Sequence, residues 1–358
     1  MTFSTQVTLK ELAQRVADYG DTPFTLRLRF GDYDLAVMSN SGSLIEKLRG
    51  VFRYSLDDAP SSRFVMVVID AVAPDLGLAY SRWSPEASDD DADDEFCDLP
   101  DGRVIPKRSK GILFASGEGI EVAILPCPKH GNKVVNFINT RYIQWQLHQG
   151  GLLAHASSVR SERRGLLLTG AASAGKTTLA FHLLDRGLCL VGKDNVVVRR
   201  EARGLRMYGT PAPPRVNPGT ALNNPRLRPI LDAAYAQKLE KLAPDELWGI
   251  EKKHEIFIEE LYGAGSTCVD GPIDGIVVLN WRHGAGPVRI DRVDLAKRRD
   301  LLRILMKSRG LFYRSPAGSF DPEPREEAYL KVLGDCPVHE MTGGIDFQQA
   351  TKFCAGLL

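Results

Sequence analysis

No apolar run in this sequence approaches the about 18 residues that a membrane-crossing helix needs. The opening MTFSTQVTLKELAQRVADYG lacks the basic-then-apolar order of a secretory signal, so the expected location is cytoplasmic. Cysteines are few, six in all: Cys97, Cys127, Cys189, Cys268, Cys336 and Cys354. No CxxC pair and no nearby histidine pair accompanies them, which excludes the common zinc arrangements and predicts reduced thiols. Neither charge is in excess: 46 Lys and Arg stand against 45 Asp and Glu, a net charge of +1. The totals therefore predict no nucleic-acid and no membrane partner, and any strong field must be local. No internal repeat is visible.

What is present is an α/β pattern long enough, at 358 residues, to fill two domains. In FTLRLRFGDYDLAVMSN, Phe24, Leu26, Leu28 and Phe30 alternate with Thr25, Arg27 and Arg29, and Gly31-Asp32 turns the chain into Tyr33, Leu35 and Val37. That is a half-buried hairpin. SLIEKLRGVFRY has helical spacing, RFVMVVID and GIEVAILP read as strands, and FINTRYIQWQLHQGG as a helix. These make a smaller N-terminal α/β domain over residues 1–148, joined near Gly150-Gly151 to a second domain over 149–358. Residues 84–110 combine Pro, Gly and an acidic run from Asp89 to Glu95 with Lys107, Arg108 and Lys110, a composition that predicts a solvated charged loop.

The second domain begins with two strands, LLAHASSV and RRGLLLTG, and then the loop Gly170, Ala171, Ala172, Ser173, Ala174, Gly175, Lys176, Thr177. It fits G-x-x-x-x-G-K-[ST] in full, a chance match on the order of one in a hundred for a chain of this length. The helix TTLAFHLLDRG leaves it, with Leu179, Leu183 and Leu184 on one stripe and Gly187 as a stop. Glycines let backbone N–H groups converge on phosphate oxygens, and a helix N-terminus adds about half a positive charge. Lys176 would reach the outer phosphates and Thr177 would offer its hydroxyl to Mg, so residues Gly170 to Thr178 are the expected cradle for ATP. The bland alternative is a tight strand-to-helix turn with an incidental lysine. Asp194 follows the next apolar strand, LCLV, where a metal-orienting or catalytic carboxylate is expected, or else a turn residue.

With LAHASSV containing His155, GLLLTGAASAGKTTLAFHLLDRG and LVGKDNVVV, this stretch resembles the catalytic domain of HPr kinase/phosphorylase, whose nucleotide fold is similar to that of phosphoenolpyruvate carboxykinase. GTPAPPRVNPGTALNNPRL and DGIVVLNWRHG look more like the HPr kinase-related kinase B group. The resemblance spans roughly residues 150–358. It implies a P-loop HPr kinase-like C-terminal domain, ATP and Mg as cofactors, and a homo-oligomer. One departure is sharp: the family carries an Asp-Asp pair, and here its first member is Lys193, leaving Asp194 alone. No copy of the segment by which HPr kinases handle phosphoprotein and phosphate is seen, so neither HPr as acceptor nor the reverse reaction is implied.

If Asp194 orients the metal together with Thr177, the base could be His155, whose ordinary pKa near 6.5 suits proton transfer. Alternatively, positioning and charge neutralisation suffice and His155 is a core histidine. The prolines of PAPPRVNPG would hold Arg215 and Asn217 at a rigid edge, where Arg215 could clamp a transferring phosphate or simply be a surface arginine. Residues 227–262 read as helical, GIVVLNW as a buried strand with VRIDRVDL as its partner, and RRDLLRILMKSRG as an amphipathic helix with solvated Lys and Arg faces. The expected function is a kinase that moves the γ-phosphate of ATP to a hydroxyl, on a serine of a protein or peptide or on a small-molecule alcohol. The catalytic candidates are Lys176, Asp194, His155 and Arg215. The alternative is a nucleotide-binding regulator with little transfer.

Overall fold

The computed structural model describes residues 8–17, 20–83, 94–117, 119–316 and 323–358. It is a mixed α/β chain of two compact units, Met1–His148 with Arg309–Glu323, and Gln149–Ser308 with Pro324–Leu358. Among the described residues no helix is long and apolar enough to cross a membrane.

The first unit is built on an eight-stranded sheet. Phe24–Phe30 and Tyr33–Ser39 form the hairpin that their alternation predicts, with Phe30 paired to Tyr33 and Gly31 at φ 61° in the turn. Helix Gly42–Val51 then carries the chain over to strand Phe64–Asp70, which runs parallel to both Tyr33–Ser39 and Ile120–Leu125. Helix Cys127–His148 supplies Tyr142 to a ring cluster with Phe30 and Tyr33.

Residues 94–110 differ from the expected solvated loop. They form the antiparallel strands Glu95–Leu99 and Gly102–Lys107 and a single 3-10 turn, Arg108–Lys110. Several charges there are paired: Lys107 meets Asp94 and the exposed Arg108 meets Glu95 at 3.4 Å, while Val104 and Ile105 are buried. The rest of the acidic run, residues 84–93, lies outside the described residues.

The first unit also holds Arg309–Glu323, residues that sequence order assigns to the C-terminal domain. Backbone carbonyls explain their place. Arg103 donates to the oxygens of Leu311 and Tyr313, Arg141 donates to that of Phe312, and His148 bonds to that of Arg314, while the Phe312 ring packs on Phe114 and Phe137.

The second unit contains a six-stranded sheet in the order Cys189–Gly192, Ala156–Arg160, Gly165–Gly170, Gly275–Leu279, Val338–Thr342, Arg289–Val293. Gly165–Gly170, Gly275–Leu279 and Val338–Thr342 run parallel. Arg289–Val293 therefore pairs with Val338–Thr342 and not, as its sequence neighbourhood predicts, with Gly275–Leu279, whose two edges are both taken. Leu166 and Leu168 pack towards helices Lys176–Leu184 and Phe347–Leu357; Leu167 faces the opposite core, with Leu301, Leu302, Leu305 and the second sheet's Val196, Val198 and Met207. A strand buried on both faces needs an unbroken apolar run, and GLLLTG supplies one. The second sheet is antiparallel, in the order Asp270–Pro272, Gly204–Gly209, Val196–Glu201, Leu152–Ala154.

Two further expectations need correcting. Residues 227–262 are not one helical stretch but short pieces, Ala233–Leu239, Pro244–Trp248 and Ile258–Tyr262, with a strand at His254–Glu255 between them. Cys189 and Cys268 are not free thiols; they are joined in a disulfide with their Cα atoms 6.3 Å apart. Backbone pairing brings them together: Leu190 donates to Ser266 and Cys268 donates to Leu190, both at 2.9 Å. A separation of 79 residues conceals that approach in the sequence.

Candidate functional site

The glycine loop lies at the C-terminal ends of the parallel strands, the edge at which open α/β sheets characteristically take ligands. Gly170 ends its strand, and Lys176 opens helix Lys176–Leu184 with Gly175 as its cap at φ 91°. Gly175 has to be glycine on two counts. Its φ is left-handed, and a Cβ there would come within 2.6 Å of the Phe347 ring. Ser173 also has a left-handed φ of 60°, an unusual conformation for a residue with a side chain. From behind, the Trp281 indole N–H donates to the Ala174 carbonyl at 2.8 Å, and Trp281 and Phe347 meet edge to face. Ala171, Ala172 and Ser173 are exposed at the rim, Thr177 is half-buried, and the Thr178 hydroxyl lies 3.4 Å from that of Thr220.

Lys176 is buried, and its ammonium donates to the carbonyls of Gly170 and Ala171, each at 2.9 Å. Burial lowers its pKa from the ordinary lysine value, Lys307 and Lys193 lower it further, and Asp194 opposes them. Asp194 follows strand Cys189–Gly192 in a left-handed turn at φ 63°, its carboxylate 2.9 Å from the Lys193 ammonium. Burial alone would raise its pKa. The charge and hydrogen bond of Lys193, with Lys307 and Lys176 behind, hold it below the usual carboxylate range. The Lys307 ammonium donates to the Asp194 backbone carbonyl at 3.0 Å, and its own pKa is lowered, chiefly by burial.

His155 sits between two strands, its N–H bonded to the Leu305 carbonyl and its carbonyl accepting from the Thr169 hydroxyl at 2.9 Å. Burial first, then Lys176 and Lys307, push its pKa down to about 4 against the pull of Asp194. The premise of an ordinary histidine near 6.5 therefore fails: the imidazole is neutral at pH 7 and weakly basic.

Lys176, Asp194 and His155 are thus close enough to feel one another's charge. Arg215 joins them differently. Its side chain is exposed, and it is its backbone carbonyl, 2.7 Å from the Lys193 ammonium, that ties the proline-rich segment to this turn. Sequence reasoning missed Lys307, which it counted among solvated basic faces; the amphipathic pattern ends at Leu305, and Lys307 lies just past it, half-buried. Trp281 and Phe347 were also missed, although an aromatic two residues past the buried strand Gly275–Leu279 was a usable signal.

Magnesium was expected at Thr177 and Asp194. Among the described residues no group of three or more His, Cys, Asp or Glu is arranged to hold a metal ion. The Asp194 carboxylate already answers to the Lys193 ammonium. A hydroxyl and one carboxylate are the sparse protein donor set used by a magnesium ion that is shared with substrate phosphates and waters, and here that carboxylate is already engaged by Lys193.

No family model matches the chain, and no curated protein matches it. Among solved structures, the HPr(Ser) kinase/phosphatase from Coxiella burnetii is similar at 13% identity and a TM-score of 0.30, over 57% of this chain and 94% of that one. That likeness is too slight to carry an argument, and the functional reading rests on the chain's own residues.

Proposed function

We propose that the chain is a kinase that transfers the γ-phosphate of ATP to a hydroxyl, on a serine of a protein or peptide or on a small-molecule alcohol. The observation that carries the reading is the loop Gly170 to Thr177, seated between a doubly buried strand and a helix N-terminus with Lys176 at its mouth. Backbone amides and the helix end attract phosphate oxygens there, and Lys176 exchanges loop carbonyls for the outer phosphates. The acceptor oxygen bonds to the γ-phosphorus as the bond from that phosphorus to the β–γ bridging oxygen breaks, releasing ADP. The hydroxyl proton passes to the Asp194 carboxylate. Asp194 and His155 are both weak bases, which suits a loose transition state whose stabilisation comes from position and charge. Arg215, an exposed residue, would clamp the transferring phosphate in this reading.

The test is the fate of label from γ-labelled ATP, with the protein offered a desalted extract and then a small-molecule extract, beside Lys176→Ala. Label moving to protein or to a metabolite in a Lys176-dependent way supports the kinase; label remaining on ATP, or found only as inorganic phosphate, overturns it. A second reading, a nucleotide-binding regulator, is favoured by Lys193, which stands beside Asp194 where a second carboxylate would serve transfer. Asp194→Asn separates the two: a kinase loses turnover and keeps binding, whereas a regulator has no turnover to lose.

A further inference from the structure

Two ammonium groups meet at the Asp194 turn, and a third, on Lys176, lies near enough for its charge to act on the Asp194 carboxylate. Lys193 bridges the Arg215 carbonyl at 2.7 Å and the Asp194 carboxylate at 2.9 Å, Lys307 holds the Asp194 carbonyl at 3.0 Å, and Lys176 holds the Gly170 and Ala171 carbonyls at 2.9 Å. Each ammonium has three donors, more than these contacts use, and the only carboxylate among these contacts is that of Asp194. A cluster serving the fold alone would be expected to match its cations with acids, since unbalanced charge taken out of water is costly. Lys176 belongs to the loop whose amides and helix end already favour anions, and Lys193 and Lys307 lie close enough for their charges to bear on it. Asp194 itself sits in a left-handed turn at φ 63°.

We propose that Lys193 and Lys307, together with Lys176, form a three-ammonium site that takes up the outer charge of a polyphosphate directly, so that the protein binds a nucleoside triphosphate with little help from a divalent ion. The inference rests on the nucleotide reading above and adds the means of charge neutralisation. Lys193 has two consequences at once: it repels a divalent cation from Asp194, and it delivers to the phosphates the positive charge that such an ion would have brought.

The experiment is calorimetric titration of the full chain with ATP and, separately, with tripolyphosphate, in EDTA and in excess MgCl2, for the wild type, Lys193→Asp, Lys307→Met and Lys307→Arg. The wild type is expected to bind both probes in EDTA within about threefold of its affinity in magnesium. Lys193→Asp and Lys307→Met should each weaken metal-free binding about tenfold, with Lys307→Arg close to wild type because it keeps the charge. Lys193→Asp, on a half-buried side chain beside the turn, carries the test should Lys307→Met fail to fold. ATP that binds only with magnesium, or lysine variants that bind in EDTA as tightly as the wild type, would overturn the inference and leave the nucleotide reading standing. Lysine-dependent binding of tripolyphosphate without binding of ATP would overturn the nucleotide reading and leave a three-ammonium site for polyphosphate, and binding of neither probe overturns both.

Discussion

Each unit buries cations, and the two sets are treated in opposite ways. In the first, Arg141 is almost wholly enclosed: its guanidinium donates to the Ser116 hydroxyl and to the Phe312 carbonyl at 2.6 Å, and Glu121 lies 3.6 Å away. Arg103 likewise answers to Asp98 and to two carbonyls of the returning segment. Those planar forks consolidate a fold. In the second unit the cations are lysines, point charges on flexible stems, gathered about a single carboxylate and held mainly by carbonyls. A buried cation that is matched is structural, and one in surplus is directed at something the chain does not itself contain.

The largest expected effect tests the surplus. Lys176→Ala should reduce phosphoryl transfer about 10²–10³-fold, the scale for losing a preorganised charge at a transferring group, while the thermal midpoint stays put or rises because an enclosed ammonium has gone. A fall in stability matching the fall in activity would make Lys176 structural and erase the contrast. Arg141→Ala should do the opposite, costing about 3 kcal/mol by leaving Glu121 enclosed without its partner. Urea unfolding reads that loss, and ATP affinity of the folded fraction should not move.

A smaller effect is expected at the loop itself. Gly175→Ala forces a side chain into a left-handed backbone against Phe347 and should cost about 1–3 kcal/mol, with nucleotide affinity falling as the cradle shifts. An alanine variant as stable and as tight-binding as the wild type would show that the loop adjusts freely.

The smallest effect is a pH dependence. His155 has a folded pKa of about 4 against an ordinary 6.5, so between those values the unfolded chain binds a proton that the folded chain refuses. Its contribution is present above pH 6.5 and is lost as pH falls towards 4. His155→Gln should flatten that acid limb of the urea midpoint; an unchanged limb would mean that neither burial nor the lysines lower this imidazole's pKa.

Much of the second unit was legible because its signals are local. Three consecutive leucines require a strand buried on both faces, Gly175 can adopt a backbone forbidden to most residues, and the i, i+4 leucines Leu179 and Leu183 define a helix. The hairpin Phe24–Ser39 was legible for the same reason, alternation and a glycine turn. What failed was decided by strangers in sequence. The partner of Arg289–Val293 follows from the order in which parallel strands occupy the sheet edges. The Cys189–Cys268 bridge follows from Leu190 pairing across a long connection. The hairpin in residues 95–107 looked like a solvated loop because composition counts charges and cannot see Lys107 meet Asp94.

The candidate site divides along the same line. Loop, lysine and acid stand within 25 residues of one another, and period and residue type alone announce an anion cradle followed by a carboxylate. Lys307 lies more than a hundred residues further on, and its arrival at the Asp194 carbonyl is a property of packing. So is the depressed pKa of His155, since burial and neighbouring charge exist only once the strands have met. Sequence carries the backbone preferences and the apolar periods, which are local energies; the balance of charge at the site is a sum over distances, and only the folded chain sets those.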